Sequence, residues 1–338
     1  MKDEDLNSLK KLISEEKNIV IIPHSNPDGD AIGSALALMY TLDHLGHIVN
    51  VISPNVAPNF LKWIPGYDKI LFYDTNKDYC DELILSSEII FTLDFNDLTR
   101  VEEMKKSISL SEGKIVLIDH HQNPKDYADL IFSDEKIGST CELLFEILNS
   151  IGLEQIIDSR IATCLYLGMM TDSGSFQYPS VTYRTHEIVS ELIKKNIIVS
   201  EIYNNVYNNS SISKLKTLGC ALESLTILRE HKTVFMYLKK DDLERFNFQK
   251  GDSEGIVNYG LNLKNIVFSV IFIEDLNMEN TVKISFRSKG SFSCNEFAKQ
   301  HFNGGGHFNA AGAKENDSLE NTILKFKKII LNSNSIEK

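Results

Sequence analysis

Short apolar runs alternate with helical patterns through the first part of the chain. Leu6, Leu9, Leu12 and Ile13 recur at helical spacing and predict a helix over residues 5–16. Asn18-Ile19-Val20-Ile21-Ile22-Pro23 is too short for a typical helix and rich in β-branched residues, which predicts a buried strand. Ile32, Leu36, Met39, Tyr40 and Leu42 then place a packed helix over residues 31–45. Strand-like runs recur at 48–52, 70–73, 88–95, 114–118 and 130–133, with helical patterns or loops between them. This alternation predicts βαβ units and a mostly parallel sheet. Helical patterns follow at 139–151, 158–170 and 185–195.

The stretch 196–213, with Asn204-Asn205 and Asn208-Asn209-Ser210-Ser211, is polar and turn-rich, and predicts a connection between domains, partly helical at either side. Beyond it, strands are predicted at 233–238, 265–273 and 281–287, and helices near 252–261, 293–302 and 318–331. The fold class expected is α/β. It comprises an N-terminal domain over 1–195 with a mostly parallel sheet flanked by helices, a linker over 196–225, and a smaller α+β domain over 226–338. The sequence carries no internal repeat and no low-complexity tract.

A length of 338 residues suits two domains, and 42% hydrophobic with 24% charged residues is ordinary for a globular protein. The longest apolar stretch, around 266–273, is strand-sized, so no membrane span is expected. The amino terminus, Met1-Lys2-Asp3-Glu4-Asp5, is acidic and lacks a signal-like apolar region, which makes the cytoplasm the expected compartment. Five scattered cysteines without a C-x-x-C pair argue against a disulfide framework or a thiolate zinc site. A net charge of −12 argues against sequence-blind binding of long nucleic acid, and leaves room for a small phosphorylated ligand in a local pocket.

The chemistry concentrates where apolar runs end. His24, Asp28 and Asp30 lie on the turn between the first strand and the helix after it. Asp94 falls at the end of the 88–95 run, Asp119-His120-His121 follow the next, and Asp172 follows the 158–170 helix. Each Asp alone is a common turn or cap acceptor, and each His alone a common core or surface residue. Emerging together at one sheet edge, several carboxylates would repel one another unless cations offset them. Mixed imidazole and carboxylate donors suit manganese, iron or zinc. Two such metals sharing a carboxylate would activate a water and clamp a phosphoryl group. The chain has no G-x-x-x-x-G-K-[ST], no G-x-G-x-x-G after a strand and no H-E-x-x-H. Nucleoside triphosphatase, dinucleotide oxidoreductase and zincin readings therefore have no support.

In the second domain, Arg287 offers a planar fork for phosphate oxygens. Gly304-Gly305-Gly306 permit close backbone approach and could point N–H groups at an anion if they formed a nest or opened a helix. Phe308 could stack on a base or belong to the core.

His24-x-x-x-Asp28-x-Asp30-Ala31-x-Gly33-Ser34, Asp94, Asp119-His120-His121 and Thr171-Asp172-x-Gly174 resemble the four motifs of the DHH phosphoesterases. Phe286-Arg287-Ser288 and Gly304-Gly305-Gly306-His307, with Ala310-Ala311-Gly312, resemble the DHH-associated C-terminal domain. The resemblance is to the branch of small bacterial oligoribonucleases (nanoRNases) and pAp phosphatases, which includes phosphodiesterases acting on cyclic di-AMP and pApA. Motif four reads Thr-Asp-Ser-Gly where Thr-Asp-Thr-Gly is commoner, with the hydroxyl retained.

The resemblance implies two manganese ions, other divalent metals being open. One would be held by His24, Asp28 and Asp94, the other by Asp30, Asp94, His120 and Asp172, with Asp94 bridging. It implies that His121 meets the scissile phosphate or the leaving oxygen, and that Asp119 orients the adjacent histidine or fixes the loop. It makes Arg287, Gly305, Gly306 and His307 the substrate-holding group, with Ser288 a further member. The activity implied is hydrolysis of short oligoribonucleotides, including pApA, and of pAp, at a site in the cleft between domains. Cyclic di-AMP as the main substrate is the alternative within enzymes, and a non-catalytic nucleotide-binding protein the alternative outside them. A homodimer is left open.

Overall fold

The strand–helix alternation read from the sequence is present in the computed structural model, which describes residues 2–249 and 251–332. The chain divides into two units, with the boundary between Asn209 and Ser210. The first unit opens with α1 (Asp3–Leu12), β1 (Asn18–Pro23), α2 (Gly29–His44), β2 (Ile48–Ser53), β3 (Leu71–Phe72), α3 (Lys77–Ser86) and β4 (Ile89–Leu93). It continues with α4 (Lys105–Leu110), β5 (Lys114–Asp119), β6 (Leu130–Ser133), α5 (Thr140–Ser150), α6 (Ser159–Asp172), α7 (Tyr183–Ile193) and α8 (Val199–Tyr207).

All six strands of this unit are parallel, in the order β3-β2-β1-β4-β5-β6. The chain moves outward from β1 to β3, then returns to place β4 on the other side of β1. Loops leaving β1 and β4 therefore part in opposite directions and open a crevice at the carboxyl ends of the strands. Both faces of the sheet are covered, which is why β1 reads as an unbroken apolar run. Ile19 and Ile21 pack on one face with Leu36 and Leu143, while Val20 and Ile22 pack on the other with Ile84 and Val101.

Every residue of α2 from Gly29 to Leu42 is buried. Two glycines explain how α6 comes so close. A Cβ on Gly33 would lie 2.5 Å from the Cys164 carbonyl oxygen, and one on Gly29 would lie 2.3 Å from Thr171 Oγ1. The two helices run antiparallel at this contact, which brings the start of α2 against the end of α6.

The second unit contains α9 (Ile212–Glu223), β7 (Thr226–Leu228), β8 (Thr233–Leu238), α10 (Lys240–Arg245), α11 (Ile256–Leu261) and β9 (Phe268–Glu274). It ends with β10 (Val282–Ser288), α12 (Cys294–Phe302), β11 (Gly305–His307), β12 (Ala310–Glu315) and α13 (Leu319–Asn332). Its six-stranded mixed sheet has the order β11-β12-β10-β9-β8-β7, with β8 and β9 parallel and the other pairs antiparallel. Phe268, Phe272 and Phe286 pack on one face with Phe297 and Phe326 from α12 and α13. Ile271 and Ile273 pack on the other with Leu243, Ile256 and Val257. The 196–225 stretch is largely helical, α8 belonging to the first unit and α9 to the second. Among the described residues, no helix is long and apolar enough to cross a membrane.

Candidate metal centre

The turn after β1 is built by Asp28, whose side chain caps α2 by accepting from the Asp30 and Ala31 amides at 3.0 and 3.1 Å. This directs Asp30 into the interior, where it is 1% exposed. Asp94 leaves β4 with φ +65°, a left-handed conformation that Asp tolerates better than most residues, and is 2% exposed. Asp119 ends β5, with His120 and His121 directly after it. Asp172 comes not from the sheet but from the last residue of α6, delivered by the α2–α6 contact.

These residues converge. His24 Nε2 lies 3.4 Å from Asp94 Oδ2 and 3.9 Å from Asp28 Oδ1. His120 Nε2 lies 3.1 Å from Asp172 Oδ2, 3.6 Å from Asp94 Oδ1 and 4.0 Å from Asp30 Oδ2. The other ring nitrogens are turned to backbone carbonyls, His24 Nδ1 to Ser25 at 2.8 Å and His120 Nδ1 to Ile137 at 3.3 Å. A carbonyl only accepts, so each Nδ1 donates; each Nε2 faces the carboxylates, donating to them when the ring is protonated and leaving a lone pair for a cation when it is neutral. Among the described residues, three groupings have donor atoms close enough for a cation: His24 with Asp28 and Asp94, Asp30 with His120 and Asp172, and Asp94 with His120 and His121.

The electrostatics are those of a crowded anionic pocket. Burial and the charges of Asp94 and Asp172 push the Asp30 carboxyl well above its ordinary range. Burial also raises Asp172, with Asp28 and Asp94 adding to it against the pull of His120. For Asp94, burial works upward too, but His24, His121 and His120 outweigh it and hold the carboxyl well below the usual range. Burial opposes protonation of His24, yet Asp94 and Asp28 raise it to about 9. The cluster draws positive charge onto its histidines, which is the demand a cation would meet.

The sequence reading did not include the amino terminus of α5. Thr140 N donates to Asp30 Oδ2 at 2.6 Å and Cys141 N to Asp30 Oδ1 at 2.9 Å, so both oxygens rest on a helix start. Thr140 Oγ1 donates to Asp94 Oδ1 at 2.9 Å. The Ser139-x-x-Glu142 spacing is a capping signature that marks where this helix begins, and Ser139 Oγ does accept from Glu142 N. Nothing in that spacing says which carboxylate the free amides meet. Asp97 accepts from Thr99 N at 2.8 Å at the start of a short 3-10 helix.

His121 Nδ1 donates to Asp119 Oδ1 at 2.7 Å, and Asp119 is fully buried. Fixing one ring nitrogen fixes the tautomer and the ring plane. Asp119→Asn is expected to keep the fold and lower kcat by about ten- to a hundredfold. Steady-state rates of the two forms check this, and an unchanged kcat would assign Asp119 to the loop alone.

In the second unit, register brings three of the predicted residues, Arg287, Gly305 and His307, to one face. Arg287 pairs with Ala310 across β10 and β12, and His307 pairs with the same Ala310 across β11 and β12. Directly opposed residues share a face, so Arg287 and His307 flank a small alanine. Gly305 lies opposite Gly312 one step along that face, and a Cβ on it would meet nothing within 4 Å. Gly304-Gly305-Gly306 thus form neither a nest nor a helix start. Gly305 opens an edge strand, and Gly304 and Gly306 are pressed on β12, where a Cβ would lie 2.3 Å from the Gly312 and Ala310 carbonyl oxygens. Ser288 is buried; its hydroxyl donates to the Phe292 carbonyl at 2.6 Å and accepts from Asn309 Nδ2 at 2.8 Å. Phe308 is 43% exposed, and so is not a core residue.

Comparison with known proteins follows the same division. A family model described as the DHH family, N-terminal domain, matches residues 18–169, and one described as the DHHA1 domain matches 231–332. The crystal structure of an exopolyphosphatase-related protein from Bacteroides fragilis superposes with a TM-score of 0.95 at 40% identity, over 98% of this chain and 96% of that one. The chain belongs to the DHH family. The bifunctional oligoribonuclease and PAP phosphatase NrnA of Bacillus subtilis is 27% identical over 90% of this chain and 91% of its own. The NrnA of Thermus thermophilus is 26% identical over 88% of this chain and 84% of its own. This DHH protein is a hydrolase of the phosphodiesterase and phosphatase type.

Proposed function

We propose that this DHH protein cleaves short oligoribonucleotides, pApA among them, to mononucleotides and removes a phosphate from pAp, using two manganese ions. The observation that carries the reading is the pair of ligand groups meeting at Asp94. His24, Asp28 and Asp94 would hold one cation, and Asp30, Asp94, His120 and Asp172 the other. Imidazole mixed with carboxylate fits manganese better than calcium or magnesium. Carboxylates that raise one another's pKa are those that two divalent charges would offset. Such cations, when bound, supply charge stabilisation at the phosphoryl group and a water of lowered pKa. The two activities in the names of the Bacillus subtilis and Thermus thermophilus relatives support the substrate class.

The chain's own side chains would do the rest. Asp119 holds His121 so that Nε2 faces the scissile phosphate or the leaving oxygen. Arg287 and His307 grip a phosphate that is not being cleaved, across a floor that Ala310, Gly305 and Gly312 keep open. Gly306 holds that floor's edge strand against β12, and Ser288 ties the turn behind Arg287.

The decisive experiment is a substrate panel of pApA, pAp, short RNA and cyclic di-AMP, with manganese and after chelation. Mononucleotide from pApA and phosphate from pAp are expected, both lost on chelation and restored by manganese. Failure to release either product with manganese present rejects the reading, and a dominant rate on cyclic di-AMP reassigns the main substrate. Arg287→Ala is expected to raise KM for pAp by about ten- to a hundredfold, since hydrogen bonds to charged groups contribute about 1.5–3 kcal/mol. The kcat should change less, and a KM left unchanged would remove Arg287 from the substrate face.

A further inference from the structure

The two oxygens of Asp94 serve different histidines. Oδ2 faces His24 at 3.4 Å, and Oδ1 faces His120 at 3.6 Å. A carboxylate turns readily about its last torsion, so nothing intrinsic to Asp94 keeps it from offering both oxygens to one side. What opposes that turn is Thr140, whose Oγ1 donates to Oδ1 at 2.9 Å. Thr140 is fully buried and is the first residue of α5, so its hydroxyl and its amide are held in fixed relation. The amide donates to Asp30 Oδ2 at 2.6 Å. One residue therefore fixes a carboxylate from each ligand group.

We infer that Thr140 is the positioning residue that keeps Asp94 bridging, one oxygen to each ligand group, and so sets how the second cation is taken up. The inference rests on the two-cation reading above. Without the hydroxyl, Asp94 Oδ1 is left with one fewer donor in a buried site, and the carboxylate is released to rotate. Thr140→Val keeps the β-branch, the volume and the amide bond to Asp30 while deleting that donor. Thr140→Ser keeps the donor.

The test is calorimetric titration of the metal-stripped full chain with manganese, for wild type, Thr140→Val and Thr140→Ser, with kcat and KM for pAp measured alongside. Wild type should bind two ions per chain. Thr140→Val should retain one near wild-type affinity and weaken the other by about ten- to a hundredfold. Its kcat should fall while KM stays, because the Arg287 face is untouched. Thr140→Ser should restore both affinities to within a few-fold. Wild type binding fewer than two ions would overturn the two-cation reading, and the inference with it. Wild type binding two and Thr140→Val binding two equally well would overturn the inference alone, as would equal losses in Ser and Val. Should Thr140→Val not fold, Thr140→Ala against Thr140→Ser decides by the same criteria.

Discussion

Asp94→Asn should lower kcat/KM by about a thousandfold or more while the chain remains folded. The several kcal/mol that metal-assisted charge stabilisation contributes correspond to that factor at 1.36 kcal/mol per tenfold. Asparagine has nearly the same volume, and it shares with aspartate a tolerance for the left-handed φ of +65° that an alanine would strain. Its amide still cannot do what the carboxylate does. If its oxygen accepts from Thr140, its NH2 faces His24; if it flips, the NH2 opposes the Thr140 hydroxyl and faces His120. Either orientation spoils one ligand group. Rates on pAp with manganese, beside a thermal unfolding curve, measure the effect. Wild-type kcat/KM in this variant would remove Asp94 from the bridging position.

Gly168→Ala sets two effects of opposite sign against each other. In a helix interior alanine is favoured over glycine by about 1 kcal/mol, so propensity alone would stabilise α6. Packing argues the other way. A Cβ there would sit 2.2 Å from Cys141 Sγ and 2.6 Å from Asp30 Oδ1, with the Cys141 Cβ at 3.0 Å. Neither neighbour can give way cheaply. Cys141 lies in the first turn of α5, and Asp30 is pinned by two amides. Overpacking typically costs about 1–3 kcal/mol, so the net expectation is a loss of up to about 2 kcal/mol. The larger effect is on the site: Asp30 must leave the α5 amides or α6 must back away and take Asp172 with it. Activity should fall by about a hundredfold, the upper end for displaced metal-site geometry. An unfolding midpoint that rises, with activity intact, would show that the α2–α6 contact has slack.

The sequence made legible what sheet burial writes into it. Strands covered on both faces must be apolar throughout, so β1, β4 and β5 stand out as runs, and the polar residues that end them mark the crevice. The edge strand β11 of the second unit carries no such signature. Gly305-Gly306-His307 has no β-branched residue and is a strand only because β12 offers it partners. The metal-ligand candidates were legible because imidazoles and carboxylates are side chains. The Thr140 and Cys141 amides that hold Asp30 belong to the backbone, which every residue shares. Gly168 is equally silent, since its part is to leave room. The left-handed turn at Asp94 is not encoded by a glycine there, and only the surrounding structure reveals it.

The central position of β1 also sets a timetable for the chain's assembly. The strand made first pairs with β2 over residues 18–21 and with β4 over 19–23, so it lacks its second neighbour until residue 93 has been synthesised. At ordinary ribosome speeds Asp172 emerges roughly seven to thirty seconds after His24. Through that interval the nascent chain lacks the last of the six ligand candidates. Asp30, His120 and Asp172 come together only with α6 seated against α5 and α2, so the site needs that helix contact as well as the sheet.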